Sequence, residues 1–322
     1  MSVNRRALII GHTGQDGSYL KDLLKSKGYS VTGVASSGIY TDLSPLINKG
    51  DITDTAYCNY LVDTVQPDEL YFLAALHQSS VEQSYSDLEF YNQTIRINAL
   101  AFLNFLNSVH LSRPQCRVFY ASSSHIFGST PYEIQNEDTP VCPVSIYGIS
   151  KVLGMQFCDL YRQKGVFCSA GIFYNHESPK RDGKFVSKKI VSAAVDIYLG
   201  KKDKLELGDL SAKIDWGYAP DYVHAAYLIL QGSEGRNYVI SSGTLHTVQD
   251  FVNEVFSNLN LDWKKYVIEN KQIILKKSVT VLRGDSSRLR RDTGWNNSVS
   301  FSEMINILVK EQLNASSSPG DL

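Results

Sequence analysis

Short apolar runs alternate with amphipathic helical stretches through the first half of this chain, and that alternation constrains its fold most. ALII (7–10), YSVTGVA (29–35), ELYFLAA (69–75), RVFYASSS (117–124) and VFCSAGIFY (166–174) read as strands. Helical patterns separate them. Tyr19, Leu20, Leu23 and Leu24 share one face after the first strand; INALAFLNFLNSVH (97–110) and ISKVLGMQFCDLYRQK (149–164) come later. Strands apolar on both faces need cover on both, and the helices supply it. The expected fold is α/β, a doubly wound parallel sheet. After about residue 175 the segments become less regular and richer in Lys, Asp and Gly, although KKIVSAAVDIYLG (188–200) still reads as a helix. This predicts a second, smaller α/β unit interleaved with the first. Residues 1–174, with returns around 216–247, would form the first unit; 175–215 and 248–315 would form the second, and 316–322 a flexible tail.

The totals exclude several classes. The 322 residues, 43% hydrophobic and 20% charged, suffice for one large unit or two unequal ones. A net charge of −1 gives no reason to expect nucleic acid or an anionic membrane as partner. Cys58, Cys116, Cys142, Cys158 and Cys168 show neither CxxC nor a metal-ligand spacing. No metal is expected, and an odd, scattered set fits reduced thiols in a cytoplasmic protein. No apolar run reaches membrane-spanning length, and MSVNRRALIIG does not read as a signal peptide.

Directly after the first strand stands Gly11-His12-Thr13-Gly14-Gln15-Asp16-Gly17, a G-x-x-G-x-x-G spacing that opens a helix. Glycines let backbone amides approach a pyrophosphate, and a helix N-terminus favours its charge. The loop is therefore a candidate dinucleotide site. An acidic residue ending the second strand would bind a ribose 2′-hydroxyl, and an arginine would favour a 2′-phosphate. Gly33-Val34-Ala35-Ser36-Ser37 has neither. With no cation close by, NAD is expected, with NADP as the alternative. Asp51 and Ile52, after the next short segment, are placed to meet the adenine.

Tyr147-Gly148-Ile149-Ser150-Lys151 puts a phenol and an ammonium four residues apart at the start of a helix, on one face. A neighbouring ammonium favours the phenolate. A tyrosine so tuned can take a proton from a sugar hydroxyl while hydride leaves for a nicotinamide. Ser123, at a strand end, can hold the same hydroxyl.

With these residues the chain resembles the extended short-chain dehydrogenase/reductase family, and within it the GDP-mannose 4,6-dehydratases. GHTGQDGSYL (11–20) is similar to their nucleotide loop. Leu73-Ala74-Ala75 resembles the segment that packs on the cofactor, and SIYGISK (145–151) the Tyr/Lys motif. YNHESPKRDGKFVSKKI (174–190), AKIDWGYAPDYVHA (212–225), YVISSGTLHTVQDFV (238–252) and GDSSRLRRDTGWNNSVSF (284–301) follow in the family's order. The resemblance implies a Rossmann domain, a nicotinamide cofactor, a GDP-sugar substrate and oxidation at the sugar's C4. Tyr147 would be the base, Lys151 would tune it and bind ribose, and Ser123 would orient the hydroxyl. It also implies substrate contacts at Ser124, Asn175 and Lys189, and assembly as a homodimer or homotetramer.

The departures matter as much. Where the dehydratases carry threonine, serine and glutamate, this chain has Ser123, Ser124 and His125. In the family the glutamate removes the C5 proton of the 4-keto sugar and helps expel the C6 hydroxyl. His125 can perform the same transfer, since imidazole titrates near neutrality. It can contact a different substrate group, leaving oxidation without dehydration, or it can simply pack. The middle reading leads here, because the residue lost serves the one step that separates dehydration from oxidation. The family arginine before DWGY is Ile214 here, so another cation is expected at the diphosphate: Lys276, its neighbour Lys277, or Lys213. A serine hydrolase is disfavoured. ASSSHIFG (121–128) lacks the G-x-S-x-G elbow, and on a continuing strand Ser124 and His125 would face opposite ways.

Overall fold

The computed structural model describes residues 4–42, 47–77, 87–270, 272 and 281–317. A seven-stranded sheet forms the larger layer. Its strands are β1 (Arg6–Ile10), β2 (Ser30–Ala35), β3 (Gly38–Thr41), β4 (Glu69–Phe72), β5 (Arg117–Ser123), β6 (Cys168–Phe173) and, far along the chain, Asn237–Ile240. Three short strands intervene before that last one: β7 (Asn175–Glu177), β8 (Leu205–Leu207) and β9 (Lys213–Tyr218). Asn237–Ile240 is therefore β10, followed by β11 (Leu245–Thr247) and β12 (Val267–Glu269). The large sheet runs β10-β6-β5-β4-β1-β2-β3 and is parallel throughout, except that β3 folds back antiparallel on β2. The strand order reverses between β1 and β4. In such sheets the crevice outside the carboxyl ends at that point is where ligands bind.

The helices are α1 (Gln15–Ser26), α2 (Thr55–Val65), α3 (Asp87–Ile95), α4 (Ala101–Ser112), α5 (Ile146–Gln163), α6 (Val186–Tyr198), α7 (Ala219–Leu230), α8 (Val248–Ser257), α9 (Ser287–Thr293) and α10 (Phe301–Ser317). One apolar core, containing Leu8, Ile9, Phe72, Phe102, Phe119 and Tyr120, fills the space around the large sheet. A second core gathers α6, α8 and α10 about Trp216, Phe251 and Ile305. Within 216–247 it is α7 and β10 that return to the large sheet's core, whereas β9 and β11 form a small sheet with β7.

Three boundaries differ from the sequence pattern. β4 stops at Phe72, and Leu73-Ala74-Ala75 leaves the sheet to cross the glycine loop. The helix read over 97–110 begins as a π-turn, Arg96–Leu100, before α4 proper. β5 ends at Ser123, and Ser124–Ile126 is a 3₁₀ turn. Apolar periodicity does not register such local changes of pitch.

Candidate active site

The glycine loop lies at the strand-order reversal. Gly11 closes β1 with its amide on the Val34 carbonyl, 2.7 Å away. Gly17 must be glycine: a Cβ there would stand 2.2 Å from the Gly11 carbonyl oxygen. Gly14 is the N-cap of α1 and offers no side chain to the first-turn amides. Those donors face outward without a cap, the arrangement a pyrophosphate requires. Beside them Thr13 and Ser37 bring their hydroxyls to 3.2 Å. Leu73-Ala75 borders the loop, with the Leu73 amide on the Ile10 carbonyl at 2.8 Å. Asp51 is exposed before α2 and accepts from the Thr53 amide, while Ile52 packs against the core. Lys21 and Lys25 each lie 5.0 Å over the Tyr40 ring, and Lys25 also pairs with Asp42. The residues present thus fit a dinucleotide, and the cations near the end of β2 already have partners.

At the carboxyl end of β5 the side chains converge. Ser145 caps α5, accepting from the Gly148 amide at 3.1 Å. Gly148 lets this helix start against the 3₁₀ turn; a Cβ there would meet the His125 carbonyl oxygen at 2.5 Å. Tyr147 and Lys151 share a face as expected, with the ammonium 5.5 Å from the phenol ring. Lys151 is buried, donating to the Ala121 carbonyl at 2.8 Å. The expected lowering of the Tyr147 pKa is not what the structure shows. Burial pushes the phenol up to about 12, although a hydrogen bond from Ser123 and the Arg181 charge pull the other way. Burial likewise pushes Lys151 down to about 7, the Asp16 charge opposing it. A lysine so desolvated is a weak electrostatic partner until a negative charge forms beside it.

His125 is exposed in the cleft, its pKa lowered by the protein mass around it. Its ring lies edge-on to Tyr147, with centroids 5.6 Å apart. His77, two residues beyond Ala75, completes the group. Its ring is 4.5 Å from Tyr147 and 6.0 Å from His125. Desolvation, then the nearby His125, Arg181, Lys184 and Lys151, push His77 down to about 3. Both imidazoles are therefore neutral at working pH. The 3₁₀ turn replaces the strand argument against a Ser–His pair. Ser124 is buried while His125 is exposed, and the neighbouring Ser123 hydroxyl accepts from the His125 backbone amide at 3.3 Å.

Residues outside the sequence expectation hold the group in place. Asn98, wholly buried in the π-turn, bonds both the amide and the carbonyl of Leu76 and donates to Ser150. It thereby fixes the segment carrying His77 against the helix carrying Tyr147. A polar residue, Asn98, inside the otherwise apolar start of INALAFLNFL was the available signal; Asn104 is the other polar residue of that stretch. Arg181 pairs with Glu177 at 3.2 Å and stacks on Phe185. It supplies a cation close to Tyr147 on a segment whose motif was recognised without this residue being singled out.

The expected substrate residues are less concentrated. Asn175 is exposed at the start of β7. Ser124 is buried, its carbonyl accepting from the Phe127 amide. Lys189 is exposed on α6 and donates to the Glu206 carbonyl of β8 at 2.8 Å, and Lys213 is exposed at the start of β9. Ile214 packs against the second core. Lys276 and Lys277 lie outside the described residues. Among the described residues no cluster of His, Cys, Asp and Glu is arranged to hold a metal, and no helix is long and apolar enough to cross a membrane.

A doubly wound parallel sheet, a glycine loop at its reversal point and a Ser/Tyr/Lys group define an enzyme of the extended short-chain dehydrogenase/reductase class. Solved structures share the fold. A putative epimerase from Burkholderia cenocepacia superimposes with a TM-score of 0.83 at 20% identity, covering 96% of this chain and 98% of that one. UDP-glucose 4-epimerase of Thermus thermophilus, solved with NAD, gives 0.80 at 22%, covering 96% and 99%. Sequence is more specific. The GDP-mannose 4,6 dehydratase family model matches residues 8–308. GDP-mannose 4,6 dehydratase 2 of Arabidopsis thaliana is 37% identical over 95% of this chain and 86% of its own length. The human GDP-mannose 4,6 dehydratase is 32% identical over 94% and 90%. The chain belongs to the GDP-mannose 4,6-dehydratase family.

Proposed function

We propose that this protein oxidises C4 of a GDP-linked sugar of manno configuration, GDP-mannose or GDP-manno-heptose. The observation that carries the reading is the convergence of Ser123, Tyr147 and Lys151 beside the glycine loop. Gly11, Thr13, Gly14, Gln15 and Gly17 would hold a dinucleotide's pyrophosphate, Asp51 and Ile52 its adenine side, Leu73-Ala75 its inner face, and Lys151 its ribose. The dinucleotide supplies the hydride acceptor. NAD is the preferred form, because the cations near β2 are engaged by Tyr40 and Asp42.

Tyr147 would take the C4 hydroxyl proton while Ser123 orients that hydroxyl. The shifted pKa values fit this role once the pair is treated as one unit. Above about pH 7 Lys151 is neutral beside a protonated phenol. That state holds as many protons as a phenolate beside an ammonium, so transfer within the pair creates the base without loss to solvent. Arg181 and the Ser123 hydroxyl favour the charged form of the phenol.

The family relationship weights the next step toward dehydration. A C4 ketone acidifies the C5 proton, and His125, neutral and facing the cleft, would accept it and pass it to the departing C6 hydroxyl, which would leave as water. The dinucleotide would return its hydride to C6 while Tyr147 gives its proton to C5, so that no net reduced cofactor would remain. A second reading, oxidation that ends at the 4-ketone, draws on one observation. Position 125 offers no carboxylate, and the neighbouring carboxylates are tied: Asp16 to His176, and Glu177 to Ser187 and Arg181. Asn175, Ser124 and Lys189 remain the proposed sugar-nucleotide contacts, with Lys276 a candidate at the diphosphate. A homodimer or homotetramer is supported by exposed apolar side chains on α3 and α5, namely Leu88, Tyr91, Ile149 and Leu160.

The test is to incubate the protein with GDP-mannose or GDP-manno-heptose and NAD or NADP, following product mass and reduced-nicotinamide absorbance. A product lighter by one water with no net reduction establishes the dehydratase. A product lighter by two hydrogens, with reduced cofactor formed, establishes the 4-dehydrogenase. Unchanged substrate with every pairing would refute C4 oxidation.

A further inference from the structure

The residue after Asn175 makes a contact that the sugar chemistry does not use. Successive residues of a strand face opposite ways. On β7, Asn175 is exposed, and His176 turns inward to the glycine loop. Its Nε2 lies 3.0 and 3.1 Å from the two carboxylate oxygens of Asp16, and its Nδ1 lies 2.7 Å from the Tyr174 carbonyl oxygen. A carbonyl and a carboxylate only accept, so both ring nitrogens must carry hydrogen. The ring is an imidazolium. Two further bonds run alongside: Gln15 donates to the His176 carbonyl at 3.1 Å, and the Ser178 hydroxyl donates to the Gln15 side-chain oxygen at 2.8 Å. The first turn of α1, whose free amides form the anion cradle, is thus bolted to the strand that presents Asn175.

We propose that Asp16 and His176 are positioning residues: their ion pair sets the dinucleotide loop at a fixed distance from the sugar-binding strand and holds only while His176 is charged. The inference rests on the dinucleotide reading of the loop and concerns neither the choice of sugar nor the fate of the ketone.

The surroundings allow such a switch. The Tyr222 ring of α7 stacks on His176 at 4.8 Å and the Phe173 ring meets it edge-on at 5.1 Å. Arg181 is the opposing charge. Burial is the largest influence and disfavours the imidazolium, but the Asp16 charge and bond together with the bond to the Tyr174 carbonyl outweigh it and Arg181, and the His176 pKa lies above its ordinary 6.5. Asp16 is held below its ordinary 3.8, chiefly by His176 against its own desolvation, with Arg181 and Gln15 assisting. The Asp16 charge also reaches Tyr147 and Lys151, raising both. The sign follows. The stabilisation is complete between the two ordinary values, is lost as pH rises through the raised His176 pKa, and is lost at the acid end as Asp16 protonates. Above the His176 transition one ring nitrogen faces an oxygen without a hydrogen between them.

The experiment uses the full chain labelled with ¹⁵N-histidine, His176 being assigned from the signal lost in His176→Gln. At pH 6 both its nitrogens should be protonated, with deprotonation at a pH above 6.5. Asp16→Asn should move that transition downward. In the native protein the Kd for NAD should rise roughly tenfold across the His176 transition, the size of one lost charge-assisted contact. In Asp16→Asn, Kd should be raised at pH 6 and flat with pH. A neutral His176 at pH 6, or NAD binding that ignores its titration, overturns the proposal. If Asp16→Asn does not fold, the two native titrations still decide by coinciding or not. Native protein that binds neither NAD nor NADP at any pH, with His176 titrating as described, overturns the dinucleotide reading and the positioning role with it. Normal binding without sugar oxidation leaves the clasp standing and refutes only the proposed reaction.

Discussion

The two ends of the cleft are built from different materials. The proposed cofactor end is backbone: Gly11, Gly14 and Gly17 bring amides and a helix terminus to the surface. The proposed catalytic end is side chains. Ser123, Tyr147, Lys151, His125 and His77 arrive from β5, α5, the 3₁₀ turn and the segment after β4, and each lies in a buried or crowded setting. A backbone site tolerates little change in sequence, since the carbonyl facing Gly17 leaves no room. A side-chain site can keep its frame and exchange its chemistry, as the sequence resemblance implies for His125.

The largest break in that comparison should come from Tyr147→Phe. It removes one oxygen from the side-chain end and leaves the backbone end alone. Turnover should fall about 10²–10⁴-fold, the usual contribution of a positioned acid–base group. NAD binding should stay within a few-fold, measured by titration calorimetry. In the native enzyme kcat/KM should rise with pH through about 7, where Lys151 gives up its proton in the empty protein. Below that pH the pair holds one proton too many for a phenolate beside an ammonium. A pH-independent kcat/KM between 6 and 8 would show that the pair does not titrate as one unit.

Gly17→Ala attacks the opposite end. The added Cβ would sit 2.2 Å from the Gly11 carbonyl and 2.6 Å from the His12 Cα, both backbone atoms. Overpacking of this kind costs about 1–3 kcal/mol. The midpoint of denaturant unfolding should drop accordingly, and NAD affinity should fall with it because the loop must open. Alanine tolerated with unchanged affinity would mean that the loop is looser than this geometry.

The same contrast explains how much was legible in the sequence. The parallel sheet and the glycine loop could be read because periodicity and spacing are local properties of the chain. Tyr147 and Lys151 could be read because a helix of known pitch carries both. Their electrostatics could not: the direction of the Tyr147 shift depends on how deeply the ring is buried, which spacing does not encode. His77 and Asn98 stayed hidden because they meet α5 across long stretches of chain. Asp16 was read as a cofactor contact, and its partner, 160 residues away, had no signal beyond its place in YNHESP. The end of β5 was misread by one residue, enough to turn Ser124 and His125 from strand neighbours into parts of a turn.

A sharper probe of the proposed catalytic end is His125→Glu, which places there the carboxylate that the sequence resemblance implies, on an unchanged frame. C4 oxidation should continue within about tenfold, because Tyr147, Lys151 and Ser123 are untouched. The product should be lighter by one water regardless of what the native protein makes. If the native enzyme stops at the ketone and this variant does too, something other than position 125 prevents elimination, and the heptose–hexose difference becomes the leading cause. Product mass after complete turnover separates these results.

The smallest effect is expected at His77, and its size is informative. The ring contacts both Tyr147 and His125, so proximity alone suggests a second acid–base group. Its charge state argues otherwise. Held down to about 3 by desolvation and by the cationic groups around it, His77 gains no proton in the range where the enzyme works. A neutral imidazole there can pack and donate one hydrogen bond, and glutamine can do much the same. His77→Gln should therefore raise KM by less than about tenfold, the cost of one neutral hydrogen bond, and leave the shape of the kcat/KM profile between pH 5 and 9 unaltered. Its Nδ1, buried without a partner among the described residues, marks where that bond to substrate would form. A shifted acid limb would overturn this account, because only a group that changes charge during turnover can move a limb. His77 would then join His125 in the proton transfers, and the proposed catalytic end would hold a working pair of histidines.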